Sequence, residues 1–516
     1  MRYFIFVLLL TGSVFSCQAP PEVKAFEAFL EESGTTFDVW IRNARVVDGT
    51  GAPAYSADLL IRDGEILYLG WVAANDIEAS EVIDASQKTV TPGFIDAHAH
   101  GDPLRTPAFE NFLRMGVTSI CLGQDGSSVQ VVDLPNWLSR VDSIRPGVNI
   151  IPFIGHGTIR RESGIGYQED PEEASISMMA ALLEKALEAG CFGLSTGLEY
   201  TPGTYASEKE LNTLAKVLGS RERIMMSHIR NEDNDVVWAS LEELLALADY
   251  CAVHASHLKV VYGKGAERAE EILDLLFAEA RAHRVTADLY PYMASYTGIG
   301  IVFPAWAKPP ANYEQVKKER RMELLNYLRN KIQQRNGPEA TLLGTAPYAG
   351  QSLADLEEEQ DRPYEEILLD IGPGAASGAY FIMDASLQER LLQHPQVVLS
   401  SDGSPTMRHP RGYGSFAKMI ETYVLQDSLF SLETAVHKMS GQTADILGLK
   451  DRGTLAPGQK ADLLIFDPLA IKAQATYAEP HQYAQGFEQV LVNGQIVIRD
   501  GQIDSSRYGK CLRYGP

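Results

Sequence analysis

Two histidines, His98 and His100, stand two residues apart at the end of the apolar run GFIDAHAH (93–100), with Asp96 two residues before them. Side chains of an extended strand alternate between faces, so this spacing puts both imidazoles and the carboxylate on one side. Imidazoles converging in this way suit a divalent cation. One HxH pair alone would mean little, but further strand-like runs end in His228 (IMMSH), His257 (AVHASH) and Asp402 (VVLSSD). Histidine and aspartate are costly to bury without partners, so their recurrence at strand ends argues for a metal site rather than for packing. Asp402 is then both a possible ligand and the natural general base. A divalent ion lowers the pKa of bound water from about 15.7 to about 7, and a carboxylate beside it can accept the proton released.

A fold that gathers parallel strands must bring these ends together. Runs of strand length recur at 93–100, 118–125, 149–156, 192–199, 224–232, 252–259, 285–292 and 397–403. Between them lie stretches such as SMMAALLEKALEAG and ERAEEILDLLFAEARAH, whose apolar residues recur every three to four, as on a helix face. Eight such units predict an α/β fold, a (β/α)8 TIM-like barrel over 91–450 with its chemistry at the C-terminal strand ends. The long gap after Tyr292 predicts an insertion between strands 7 and 8, about 299–395. β-rich text at 37–90 and again at 451–516, with Asp63-Gly64 and Asn493-Gly494 as hairpin turns, predicts a small β-sandwich built from both termini.

The 516 residues carry a formal net charge of −23 and are 45% hydrophobic, which disfavours both a disordered chain and a nucleic-acid partner. The apolar run from Tyr3 to Ser16 follows Arg2 and stops at Cys17. It is too short for a membrane span of ~20 residues and reads as a secretory signal. Val14 to Cys17 resembles the lipobox of bacterial lipoproteins. Residues 1–17 are therefore expected to be a signal peptide and 18–36 a tether. The protein is expected to be exported, periplasmic or at the cell surface, touching a membrane only through a lipid on Cys17. Of the five cysteines, Cys121, Cys191 and Cys251 sit in apolar runs, and no disulfide framework is expected.

TPGFIDAHAHGD, the two later single-histidine strands, the SSDG strand and GTLAPGQKADLLIFDP together resemble the amidohydrolase superfamily. Within it, GLSTGLEYTPG, MSHIRNE, ASHLK, DLYPY and HPRGYGSF are similar to the D-aminoacylases, the N-acyl-D-amino-acid deacylases. The resemblance runs from Phe37 to Ile503. It implies a metal-dependent hydrolase that removes the acyl group from N-acyl-D-amino acids, or cleaves dipeptides with a C-terminal D-residue. It implies His98 and His100 as ligands of one metal position, and His228 and His257 as ligands of the other. Asp125 stands where the family carries a bridging cysteine. One or two divalent ions are expected, zinc first. A carboxylate in place of the thiolate makes cobalt or manganese more competitive. Lys259, Tyr290 and Arg411 match the positions that bind the carboxylate of a small anionic substrate, and Tyr296 replaces a serine of that region. The runner-up readings are an amidohydrolase acting on cyclic amides or isoaspartyl dipeptides, and a non-catalytic binding lipoprotein. The first would use a bridging lysine on the fourth strand, and Phe192 to Gly197 has none. Cys121 and His254 read as core. His156 is open between a pocket and a structural role, and His283, His394, His437 and His481 read as solvated.

Overall fold

The computed structural model describes residues 21–73, 77–278 and 284–515. The expected leader, with Cys17, lies outside them, as does His283.

Eight parallel strands follow one another in chain order: Phe94–Asp96, Val117–Leu122, Asn149–Pro152 continued by Ile154–Gly155, Gly193–Gly197, Ile224–His228, Ala252–Ala255, Val285–Leu289 and Val397–Leu399. A parallel bridge between Ala99 and Gly403 joins the last to the first, so the strands run as a closed ring. Helices wrap the outside: Leu183, Leu214, Leu241 and Ile272 share one buried cluster with Leu194, Met225 and Val253 of the strands. Strands covered in this way are near-continuously apolar, which is why the polar residues at their ends stand out.

The third strand breaks at Phe153, and its first half pairs only with the second strand. The free edge is taken by the C-terminal tail: Ile150 N donates to Lys510 O (2.8 Å) and Leu512 N to Ile150 O (2.8 Å). The expectation that all of 451–516 belongs to the β layer is corrected accordingly.

Behind the last strand, Lys438 is 3% exposed, and its ammonium donates to the carbonyls of His394 (2.7 Å) and Val397 (2.6 Å). Burial pushes its pKa from 10.5 down to about 7. Below about 7 the folded and unfolded chains both carry this proton; between about 7 and 10.5 only the unfolded chain does. Stability from this group therefore rises with pH across that window. Lys438→Met should raise the melting temperature most at pH 6, with the gain fading toward pH 10, as differential scanning calorimetry would record; a pH-independent gain would refute the assignment.

Between the seventh and eighth strands the chain forms a separate lobe. Its three-stranded antiparallel sheet (Ala294–Gly298, Ser377–Phe381, Thr341–Leu343) and its helices bury a core of their own, including Phe303, Leu324, Leu328, Leu368 and Tyr380. The lobe begins at Ala294, ahead of the expected 299, because the chain pairs into this sheet directly after Tyr292. It ends before 395, because the helix Ala385–Gln393 packs Leu387 and Leu391 into the cluster shared by the eight parallel strands and their outer helices.

Both chain ends build one continuous nine-stranded sheet, joined where Thr89–Pro92 runs antiparallel to Leu463–Phe466. Val39, Ile41, Leu59 and Ile61 share a core with Leu463, Ile465 and Leu491. The two hairpin turns touch. Asp63-Gly64 and Asn493-Gly494 all have positive φ, as tight hairpins require. A Cβ on Gly494 would lie 2.5 Å from Gly64 Cα, so only glycine permits the contact.

The expected tether over 18–36 is corrected as well: Pro21–Ser33 is a helix. Its Phe26 and Phe29, spaced three apart, lie against Tyr68 (5.2 and 4.7 Å between ring centroids), and Phe29 stacks on Phe37. Among the described residues no helix is long and apolar enough to cross a membrane.

Candidate metal centre

Backbone hydrogen bonds between the first and last strands set the first half of the site. Asp402 N donates to His98 O (2.8 Å) and His100 N to Gly403 O (2.7 Å). Beneath them the buried Asp96 accepts from His98 N (3.1 Å) and Ser401 N (3.0 Å). Asp402 is thereby held beside the histidine pair, its Oδ1 3.1 Å from His100 Nε2 and 3.9 Å from His98 Nε2.

Asp125 comes from the turn after the second strand, with φ +53° between two positive-φ glycines, Gly123 and Gly126. Gly197 of the fourth strand lies so close that a Cβ there would collide with the Asp125 carbonyl. The turn sets the carboxylate between the two histidine pairs. Its Oδ1 is 3.4 Å from His98 Nε2, 3.2 Å from His257 Nε2 and 3.8 Å from His228 Nδ1, and its Oδ2 is 3.5 Å from His100 Nε2. His228 Nδ1 and His257 Nε2 are 2.9 Å apart. Two groups result, His98–His100–Asp125–Asp402 and Asp125–His228–His257, each with its ligand atoms within 4.8 Å of one another and Asp125 common to both.

A divalent cation fits this arrangement. His98 is fully buried, yet neither ring nitrogen has a hydrogen-bond partner. An orphaned buried polar group is costly, and a divalent ion held by His98 would satisfy one of the two nitrogens. Burial alone would raise the carboxyl pKa values here. For Asp402 the Arg411 guanidinium and His100 outweigh it, for Asp125 the surrounding imidazoles do, and both groups are held well below the usual carboxylate range. They are anions at neutral pH.

The outer nitrogens of His228 and His257 face two carboxylates that sequence reasoning missed. Glu199 Oε2 is 3.0 Å from His228 Nε2, and Glu232 Oε1 is 3.3 Å from His257 Nδ1. Such contacts fix ring orientation and raise ligand basicity. Glu199, His228 and Glu232 also form a third group of donor atoms, but its only imidazole already turns its other nitrogen toward Asp125. The one available signal was positional: Glu232 lies four residues past His228, and Glu199 lies just past the fourth strand.

Lys259, Tyr290 and Arg411 lie together, with the Tyr290 ring 4.6 Å from the Arg411 guanidinium and 5.9 Å from the Lys259 ammonium. All three are buried, and both cations already have partners. Lys259 Nζ donates to Glu232 Oε1 (2.6 Å), while Arg411 Nη1 meets Asp402 Oδ2 (2.9 Å) and Nη2 donates to Tyr296 O (3.1 Å). The buried His409 was also missed; its Nδ1 accepts from Arg411 N (3.1 Å) and steadies that residue.

The remaining histidines lie apart from the cluster. His254 Nε2 is 2.7 Å from the buried Asp288, and His156 Nε2 is 2.6 Å from Glu210. His481 is exposed, as expected, and donates to the Met407 carbonyl, whereas His437 is half-buried and donates to that of Gly49. Cys121 is fully buried, and burial pushes its thiol well above the ordinary value, which suits core packing rather than a thiolate ligand. The cluster opens on a cleft of about 620 Å³ whose walls include His100, Asp125, Tyr200, Tyr296, Asp402 and Arg411.

The profile described as "Amidohydrolase family" matches residues 367–498. The chain is 32% identical to N-acyl-D-aspartate deacylase of Alcaligenes xylosoxydans xylosoxydans, over 94% of this chain and 97% of that protein. It is also 32% identical to N-acyl-D-glutamate deacylase of the same organism, over 92% and 96%. Among solved structures it superposes on N-acyl-D-glutamate deacylase from Bordetella bronchiseptica with a TM-score of 0.80, 32% identity, and coverage of 93% of this chain and all of that one. That crystal structure holds zinc and a phosphonate inhibitor, a mimic of the reaction's tetrahedral intermediate.

Proposed function

Because the chain belongs to the N-acyl-D-amino-acid deacylase branch of the amidohydrolases, we propose that it hydrolyses the amide of N-acyl-D-amino acids, releasing a carboxylate and a free D-amino acid. The observation that carries this reading is the Asp125 carboxylate set between two histidine pairs with Asp402 alongside. His98, His100, Asp125, His228, His257 and Asp402 would hold one or two divalent ions, zinc foremost. Such ions supply Lewis acidity toward a water and the acyl oxygen.

Asp402 does the proton work. Arg411 grips Oδ2 and leaves Oδ1 facing His100 and the cleft. Oδ1 accepts the proton of the attacking water as its oxygen adds to the acyl carbon, and then passes it to the amide nitrogen as the C–N bond breaks. Tyr290, with Lys259 and Arg411 close to its ring, marks where the α-carboxylate of the substrate would lie. The strand order supports a (β/α)8 barrel whose insertion covers the mouth and shapes the substrate pocket. The sequence of residues 1–17 supports export and a lipid anchor on Cys17.

Metal-loaded protein should release free amino acid from N-acetyl-D-amino acids at least about 100-fold faster than from the L-forms, as a chiral amino-acid assay would measure. Equal rates on both enantiomers would overturn the D-specific reading, and hydrolysis of hydantoins or isoaspartyl dipeptides instead would overturn the substrate class.

A further inference from the structure

Four arginines among the described residues are almost wholly buried: Arg160, Arg335, Arg411 and Arg452. Three meet a carboxylate: Arg160 with Glu210 (3.3 Å), Arg411 with Asp402 (2.9 Å), and Arg452 with Asp462. Arg335 meets none among the described residues. It is 3% exposed, its Nε lacks any hydrogen-bond partner, and its guanidinium lies 4.8 Å from the centre of the Tyr380 ring. Arginine does not lose its proton in a protein, and a buried cation without an anion is strongly disfavoured. A chain with a net charge of −23 has no shortage of carboxylates to supply one.

Arg335 follows the helix Arg321–Gln334 of the inserted lobe and borders a narrow chamber of about 20 Å³ beside the metal cluster, together with His257, Lys259 and Arg411. Tyr200, Tyr296 and Thr297 belong to both this chamber and the main cleft. The other carboxylates bordering the chamber are engaged elsewhere: Glu199 with His228, Glu232 with Lys259, Asp233 with Lys331, and Asp402 with Arg411.

We propose that Arg335 receives the side-chain carboxylate of an acidic substrate, making N-acyl-D-glutamate or N-acyl-D-aspartate the preferred class. Lys259 and Arg411 touch His257 and Asp402 directly, so they stand where atoms next to the scissile nitrogen must lie. Arg335 touches no residue of the cluster and comes from the insertion, which suits a carboxylate several bonds from that nitrogen. Its planar fork of donors matches such a group with two parallel hydrogen bonds.

The inference rests on the proposed deacylase activity, and the test separates the two. Metal-loaded wild type, Arg335→Met and Arg335→Lys are assayed on N-acetyl-D-glutamate, N-acetyl-D-aspartate and N-acetyl-D-leucine. The wild type should favour the acidic substrates. Arg335→Met should lose roughly 100-fold or more in kcat/KM on its better acidic substrate, chiefly through KM, and stay within about threefold on the leucine derivative. Arg335→Lys, which keeps the charge without the fork, should fall between and decides the matter if the methionine variant does not fold. Equal losses on acidic and neutral substrates, or no loss on the acidic ones, overturn the inference. A wild type that cleaves the leucine derivative but neither acidic one overturns the inference alone; a wild type that cleaves no N-acyl-D-amino acid overturns the deacylase reading beneath it.

Discussion

Asp402→Asn should keep its metal and lose roughly 10³-fold or more in kcat. The substitution preserves shape and one oxygen but removes the negative charge that lets Oδ1 take a proton. Burial disfavours charge at this position, and the Arg411 guanidinium with His100 overrides that to keep the carboxylate ionised. The variant therefore loses the base while leaving Arg411 without its anion. Elemental analysis should find metal content close to wild type, because the four imidazoles and Asp125 remain. Near-normal turnover would sink the proton-transfer role, and turnover lost together with the metal would reassign Asp402 as mainly a ligand.

The second large effect is expected at Asp125. Its two oxygens face all four histidines at 3.2 to 3.8 Å, so among the described residues it is the only carboxylate that serves both halves of the cluster. Asp125→Ala should weaken metal retention by at least about 100-fold and abolish activity at low micromolar zinc. Asp125→Cys should recover metal binding with a preference moved toward zinc and away from manganese, since a thiolate is the softer donor. Metal titration of the three proteins after chelation measures this directly; an alanine variant that still binds two ions tightly would remove Asp125 from the site.

How far the site can be read in advance depends on how local each signal is. His98, His100, His228, His257 and Asp402 end apolar strands, and polar groups at such places stand out against a near-continuous apolar run. Asp125 is readable only through the resemblance, as the residue of a glycine-flanked turn where that family carries a cysteine. Glu199, Glu232, His409 and Arg335 are different. The first three act through a neighbour distant in sequence or on another element, Arg335 lies in the insertion away from the cluster, and nothing in the surrounding letters marks any of the four as buried. The insertion shows the same division: its existence follows from the missing strand after Tyr292, whereas its true edges at Ala294 and before Ala385 depend on sheet pairing and helix packing. The Pro21–Ser33 helix is hidden by its proline-rich approach, although proline is well tolerated in a first helical turn; Phe26 and Phe29 are the residues that betray its packing face.

Pairing Pro92 with Leu463 also has a price in time. Every residue between the two strands must be made before that ladder can form, and contacts so remote in sequence close slowly. Until then Thr89–Pro92 exposes an unpaired edge, a template for association with other chains. During synthesis the protein should therefore linger in an open, aggregation-prone form that a holding chaperone can bind, and truncation ahead of Leu463 should trap it there.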